Sequence, residues 1–152
     1  MMHPNYYLRT VKDPILRTVC EPIKDFSELE EIVFSMREII SEYPHAVGIA
    51  APQIGENKRV ILAKLDTKFQ VIVNPEIILA KGYIPFIEGC LSFPGTSAIK
   101  IRRYSIGVKY QDIEGQYRIE NFKGKNSVIL QHEIDHLNGK NIINPEYYVP
   151  PK

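Results

Sequence analysis

The chain has few cysteines and histidines, no long apolar run and almost no net charge. Each of these shortages reduces the range of functions that the sequence allows. Among 152 residues there are two cysteines and four histidines, and the net charge is +1. No apolar stretch approaches membrane-spanning length, and the start, Met1-Met2-His3-Pro4, lacks a signal-like apolar core. We therefore expect no membrane association and a cytoplasmic location, in the host cytoplasm if the chain is virus-encoded. The small charge gives no support for direct nucleic-acid binding.

Half of the scarce histidines fall in one short pattern, His132-Glu133-Ile134-Asp135-His136. Residues four apart on a helix lie on the same face about one turn apart, so the two imidazoles can share a metal ion. A glutamate next to the first histidine places a carboxylate beside that metal as a general base. The pattern indicates metal-assisted hydrolysis, although two surface histidines on a solvated helix could produce it too.

A catalytic site of this type needs three protein ligands and one open position. Downstream candidates are poor, because Ile142 stands where one protease pattern has a third histidine, and Glu146 lies among prolines. The third ligand is therefore expected upstream, where Cys90 follows a glycine and precedes a predicted Pro-Gly turn, a loop setting that suits a metal-binding thiolate. Cys20, between charged residues and a proline, is better interpreted as a half-buried structural residue. A Cys20–Cys90 disulfide is a disfavoured alternative.

A third segment, Ala46-Val47-Gly48-Ile49-Ala50-Ala51-Pro52-Gln53-Ile54-Gly55, holds one polar side chain among small and apolar residues. Small residues let the backbone approach a ligand closely, and Gln53 would offer an amide donor to an apolar site. The segment is equally compatible with a tight turn between a helix and a strand.

Together the three segments resemble the peptide deformylase family. That family is marked by a G-φ-G-φ-A-A-x-Q segment, an E-G-C-L-S segment and a Q-H-E-φ-D-H segment, in this order. The chain matches the second and third at every position, over Glu88–Ser92 and Gln131–His136, and departs from the first only at Ala46. The resemblance covers about residues 8 to 143.

The resemblance implies removal of the formyl group from the N-terminal formylmethionine of new polypeptides. It implies one divalent metal, iron(II) physiologically, with zinc, nickel or cobalt as substitutes, held by Cys90, His132 and His136. Glu133 would transfer the proton from water to the leaving amine. The Gln53 side chain and the Leu91 backbone N–H would donate hydrogen bonds to the formyl oxygen.

The methionine side chain requires an apolar pocket beside the metal. Val128 and Ile129 precede His132 by four and three positions and share its helix face. The other predicted pocket residues are Val47, Gly48 and Phe86. We interpret Glu88 as a structural carboxylate that pairs with Arg102, and Asp135 either as a carboxylate orienting an imidazole or as a solvated helix residue.

Hydrophobic spacing predicts an α+β fold in which short antiparallel strands surround a central metal-ligand helix, with an N-terminal amphipathic helix. Helices are expected over residues 25–42 and 124–138, and strands over residues 59–63, 69–73, 77–80, 105–110 and 116–120, with a hairpin loop at 112–115. With no linker or repeat, residues 1–152 are expected to form a single catalytic domain.

The C-terminal tail is short and contains Pro145, Pro150 and Pro151, which exclude an extended helix. If such a helix anchors deformylases to the ribosome, only a weak ribosome contact is expected here. The expected partners are N-formylmethionyl peptides or nascent chains, and we expect a monomer. Two rival functions are a small metalloprotease, which would not require the formyl group, and a non-catalytic metal-binding domain.

The one departure from the family pattern is testable. If the methyl group of Ala46 narrows the pocket, Ala46→Gly should raise kcat/KM for formate release from formyl-Met-Ala-Ser, by less than about tenfold, since a methyl-sized change in a pocket has modest effects. A larger gain would show that Ala46 constricts the site severely.

Overall fold

The computed structural model describes residues 5–10, 12–141 and 148–149. Within these residues there are two α-helices and two antiparallel sheets, so the expected mixture of helices and antiparallel strands is confirmed. The helices are α1 (Leu29–Ile40) and α2 (Lys125–Leu137). The strands are β1 (Gly48–Ala50), β2 (Val60–Leu65), β3 (Lys68–Lys81), β4 (Ile84–Gly89), β5 (Ser97–Arg102), β6 (Ser105–Gln111), β7 (Tyr117–Lys123) and β8 (Tyr148–Val149).

The larger sheet has the strand order β1-β2-β3-β6-β7. The strands predicted over residues 69–73 and 77–80 are wrong as separate elements, because both belong to the single long strand β3. Its pairing with β6 shifts register between Val73 and Glu76, which identifies a bulge rather than a turn. Asn74 lies in this bulge with a φ of 52°, and its side-chain amide donates to the carbonyl oxygen of Ile23.

The smaller sheet, with the order β4-β5-β8, was not predicted. Its inner face carries charged side chains, since Glu88, Lys100 and Arg102 are all buried. Its outer face carries isoleucines instead, among them Ile87 at 70% exposure. Because the usual pattern of buried apolar and exposed polar residues is reversed, hydrophobic alternation could not reveal these strands.

Helix α1 is shorter than predicted, because residues 26–28 form a 3₁₀ turn before it. The Asp25 carboxylate caps this turn by accepting a hydrogen bond from the Ser27 N–H at 3.0 Å. One side of α1 is buried and packs with the apolar side chains of β1 and β2 in one core cluster. Its buried apolar residues are Leu29, Ile32, Met36, Ile39 and Ile40.

Helix α2 agrees with the predicted range of 124–138 to within one residue at each end. Leu130, Ile134 and Leu137 anchor it in the core against the larger sheet. The Arg59 guanidinium donates to the carbonyl oxygen of Leu137 at 3.0 Å, so the residue just before β2 caps the end of the helix. Gly139 then leaves the helix with a left-handed φ of 74°.

Most of the C-terminal tail lies outside the described residues, including its three prolines. Its one described element, β8, pairs with β5 through Val149 and Ile99. Among the described residues, no helix combines the length and the apolar character that crossing a membrane requires.

Candidate metal and hydrolytic centre

Three predicted ligands meet between the small sheet and α2. Cys90 directly follows β4, whereas His132 and His136 lie one turn apart on α2. The Cys90 sulfur and His136 Nε2 are 3.2 Å apart, and one ligand atom from each of the three residues lies within 4.8 Å of the others. A thiolate and two imidazoles at these separations fit a tetrahedral divalent metal with one open position.

The catalytic glutamate candidate, Glu133, is 3% exposed and lines the same cleft. Its Oε1 is buried and has no hydrogen-bond partner among the described residues. A Cβ built at Gly48 would lie 2.5 Å from Glu133 Oε2, so the backbone of β1 approaches the carboxylate closely. Burial raises the pKa of Glu133 to about 7, which suits a group that accepts and returns a proton near neutral pH.

Gln53 projects into the site from a 3₁₀ turn, Ala51–Ile54, that follows β1. Its side-chain oxygen accepts a hydrogen bond from the Ala50 N–H at 2.9 Å, which fixes the orientation of the amide. The amide nitrogen then points to the opposite wall, where it donates to Cys90 Sγ at 3.5 Å and to Ser92 Oγ at 3.2 Å. Gln53 therefore presents an N–H donor beside the predicted metal ligand.

The cleft above these residues has a volume of about 560 Å³. It brings together every predicted site residue except His136, which is fully buried beneath it. The predicted pocket and oxyanion residues that line it are Val47, Gly48, Gln53, Phe86, Leu91, Val128 and Ile129. Lys125, at the start of α2, is exposed and does not line the cleft.

A buried ion-pair network lies behind the predicted metal ligands. The Arg102 guanidinium donates two hydrogen bonds to Glu88, each 2.7 Å long, and one to Asp135 at 2.6 Å. Glu88 also accepts a hydrogen bond from His132 Nδ1 at 2.9 Å, which leaves Nε2 of that ring for a metal. The predicted Glu88–Arg102 pair is thus present, and Asp135 contacts Arg102 rather than an imidazole.

Burial and charge set the protonation of this region. Burial opposes ionisation of Glu88, but the hydrogen bonds from Arg102 and His132 outweigh it and lower the pKa of Glu88 to about 2. Burial, together with the nearby positive charges, holds the pKa of His136 well below its usual value. A neutral imidazole is the form that binds metals.

The second cysteine plays no part in this centre. Cys20 and Cys90 are both free thiols, so the alternative of a disulfide is wrong. Cys20 is 4% exposed, and burial raises the pKa of its thiol to about 11. It therefore packs as a small apolar residue, and it is more deeply buried than the predicted half-buried position.

Two polar residues of the region were missed in the sequence. Ser92 is fully buried and accepts the Gln53 hydrogen bond, which its place in the Cys90 segment could have suggested. Lys100 is also fully buried, and its ammonium donates to the carbonyl oxygen of Asn141 at 2.9 Å. Burial lowers the pKa of Lys100 to about 8. No local pattern marks it, because lysine is normally exposed.

This centre is that of a metal-dependent hydrolase, since a thiolate and two imidazoles meet beside a buried glutamate in an apolar cleft. The family model described as polypeptide deformylase matches residues 6–146, and the chain belongs to this family. Members are metal-dependent enzymes that remove the formyl group from an N-terminal methionine, and that is the activity of this protein.

Relatives and solved structures agree with this assignment. A peptide deformylase from Thermus thermophilus is 36% identical over 151 residues, covering 88% of this chain and 78% of the relative. The crystal structure of peptide deformylase from Thermotoga maritima superposes with a TM-score of 0.90 at 35% identity, covering 97% of this chain and all of that one. The Met-Ala-Ser-bound crystal structure of class I type b peptide deformylase from Acinetobacter baumannii superposes with a TM-score of 0.84 at 30% identity, covering 90% of this chain and 94% of that one.

The close approach of β1 to Glu133 predicts that Gly48→Ala displaces the carboxylate. We expect kcat to fall by about 100-fold, because small misplacements of a catalytic group can have effects of this size. Metal content and stability should change little, since the new methyl group meets the flexible end of a side chain. Gly89→Ala is a matched control in the same cleft, because its nearest atom would be 3.9 Å away. Equal activities in the two variants would contradict this role of Gly48.

The buried network predicts that Arg102→Met lowers the free energy of unfolding by about 3–5 kcal/mol, because two carboxylates lose their partner. Arg118→Met removes an ion pair to Asp112 whose arginine is 53% exposed, and should cost less than about 1 kcal/mol. Urea unfolding at constant metal content measures the change in the free energy of unfolding in both variants.

The same network predicts a pH dependence. The pKa of Glu88 falls from 4.5 to about 2 on folding. Its contribution to the free energy of unfolding should therefore be complete above about pH 4.5 and lost as the pH falls toward 2. If Arg102→Met and Arg118→Met lowered the free energy of unfolding by similar amounts at neutral pH, the buried ion pairs would be no more important for stability than the exposed one.

Proposed function

We propose that Cys90, His132 and His136 hold one divalent metal, iron(II) physiologically, with zinc, nickel or cobalt as functional substitutes. The observation that carries this proposal is the convergence of the three ligand atoms within 4.8 Å beside a cleft that Glu133 and Gln53 also line. When bound, such a metal supplies Lewis acidity that lowers the pKa of water and polarises the formyl oxygen. A mixed thiolate and imidazole set suits each of these metals.

Glu133 is the proton shuttle in this proposal. Its carboxylate accepts the proton of the attacking water and delivers it to the departing nitrogen, so that the peptide leaves as a neutral amine. The partnerless Oε1 and the raised pKa both support this role. As the tetrahedral centre collapses, the bond between the formyl carbon and the methionine nitrogen breaks and formate is released.

Gln53 and Leu91 stabilise the negative charge that develops on the formyl oxygen. The Gln53 amide is oriented by the Ala50 N–H and points its own N–H toward the Cys90 sulfur, beside the expected metal position. The Leu91 backbone N–H directly follows Cys90 and is the second donor. Each such donor typically contributes about 10²–10³ in rate.

The methionine side chain occupies the apolar part of the cleft. Val128 and Ile129 are buried on the face of α2 that carries His132, and Phe86 lies on the facing wall. Val47 and Gly48 complete the pocket from the β1 side. The Acinetobacter relative was solved with Met-Ala-Ser, a peptide with the same N-terminal methionine, which supports a peptide substrate of this kind.

The wider context follows from the same activity. Residues 1–152 act as a single catalytic domain in which α2 is the central metal-ligand helix and α1 is the amphipathic N-terminal helix. The enzyme works as a monomer in the cytoplasm on formylated nascent chains and peptides, with at most a weak ribosome contact. The net charge of +1 supports the absence of direct nucleic-acid binding.

Replacing the proton shuttle tests these assignments. Glu133→Ala should lower formate release from formyl-Met-Ala-Ser by at least about 10³-fold, because a general acid–base group is lost. Metal analysis after purification without oxygen should find about one iron per chain in both the variant and the unmodified protein, since no ligand changes. Glu114→Ala, on the exposed hairpin loop, is the control and should keep full activity.

Activity that survives in Glu133→Ala would overturn its assigned role. If the unmodified enzyme cleaved unformylated peptides as fast as it releases formate from formylated ones, the metalloprotease alternative would be favoured over selective deformylation.

A further inference from the structure

The outer face of the small sheet is apolar, although it faces solvent. It includes four apolar side chains, Pro85, Ile87, Ile99 and Ile101, where Ile87 pairs with Ile99 and Pro85 pairs with Ile101 across β4 and β5. Ile87 is 70% exposed and Ile101 is 52% exposed. Single exposed apolar residues are common, but four adjacent ones on one face indicate a surface that contacts another molecule.

This face is continuous with the substrate cleft. Ile87 lines the cleft together with its neighbours Phe86, Glu88 and Gly89. Alternate residues of a strand point to opposite faces, so four consecutive lining residues mean that the edge of β4 forms this wall. Among the described residues, β4 pairs only with β5, and the backbone groups along its cleft edge can therefore pair with an extended peptide.

The alternation of side chains then fixes where each substrate residue points. The methionine side chain enters the inner pocket of Phe86, Val128 and Ile129, so the side chain of the second residue must point to the opposite face of the small sheet. That face presents Ile87 at the cleft. The opposite rim carries Tyr43, which is 37% exposed, and Glu42.

We propose that Ile87 is a specificity-determining residue that gives this deformylase a preference for formyl-methionyl peptides with an apolar second residue. This inference rests on the proposed binding of the methionine side chain. A leucine side chain at the second position would cover the exposed Ile87, whereas a serine would leave it in water. The contact is remote from the bond that breaks, so it lowers KM and leaves kcat nearly unchanged.

The experiment compares formate release from formyl-Met-Leu-Ser, formyl-Met-Ser-Ser and formyl-Met-Lys-Ser. For the unmodified enzyme, kcat/KM should be about three- to tenfold higher with leucine than with serine, a factor within reach of one partly buried apolar contact. Ile87→Ser should bring this ratio close to one and leave the serine peptide within about twofold of its original value. Ile119→Ser is the matched control, because Ile119 is 65% exposed on β7 and does not line the cleft.

A charge swap sharpens the test. Ile87→Glu should make the lysine peptide a better substrate than the leucine peptide, through attraction across the same contact. A leucine-to-serine ratio near one in the unmodified enzyme, or a ratio that Ile87→Ser leaves unchanged, would overturn the proposal. Absence of formate release from all three peptides would instead overturn the function itself, and this inference with it.

Discussion

The Arg102 guanidinium holds the small sheet against the helix that carries both histidines. It pairs with Glu88 on β4 and with Asp135 on α2, and its side chain and that of Glu88 are each 4% exposed. Removing these charges from water is costly, and the cost is offset only while every partner is in place. Through the hydrogen bond from His132 to Glu88, the network also orients one of the three proposed metal ligands. Cys90, two residues after Glu88, is positioned relative to α2 by the same interaction.

The larger sheet contributes to the centre through a glycine, Gly48, whose lack of a side chain leaves room for Glu133. Gly48 lies on β1, an edge strand of that sheet, and lets the backbone approach Glu133 closely. The same strand leads into the turn that presents Gln53. Burial raises the pKa of Glu133, while the hydrogen bonds from Arg102 and His132 lower that of Glu88. Two carboxylates near one centre thus have opposite roles because their surroundings differ.

The sequence was most informative where chemistry requires fixed spacing. The ligand helix, Cys90 and Gln53 were identified because their residue types and order are unusual, and the described structure brings them together. Helix α1 and strands β2, β6 and β7 followed from hydrophobic periodicity. The small sheet was not predictable in this way, since Lys100 and Arg102 point inward while Ile87 and Ile101 point outward. The bulge at Asn74 was also missed, because it depends on a hydrogen bond to a residue distant in sequence.

The distribution of the three proposed ligands along the chain would link metal binding to the lifetime of the protein. In the unfolded chain only His132 and His136 are neighbours, because β5, β6 and β7 separate them from Cys90. A metal ion therefore binds the folded chain far more tightly than the unfolded one, and binding adds directly to the free energy of unfolding. At a free metal concentration of 100 times Kd the gain is about 2.7 kcal/mol. A cell short of the metal would lose molecules of this enzyme to proteolysis as well as losing its turnover.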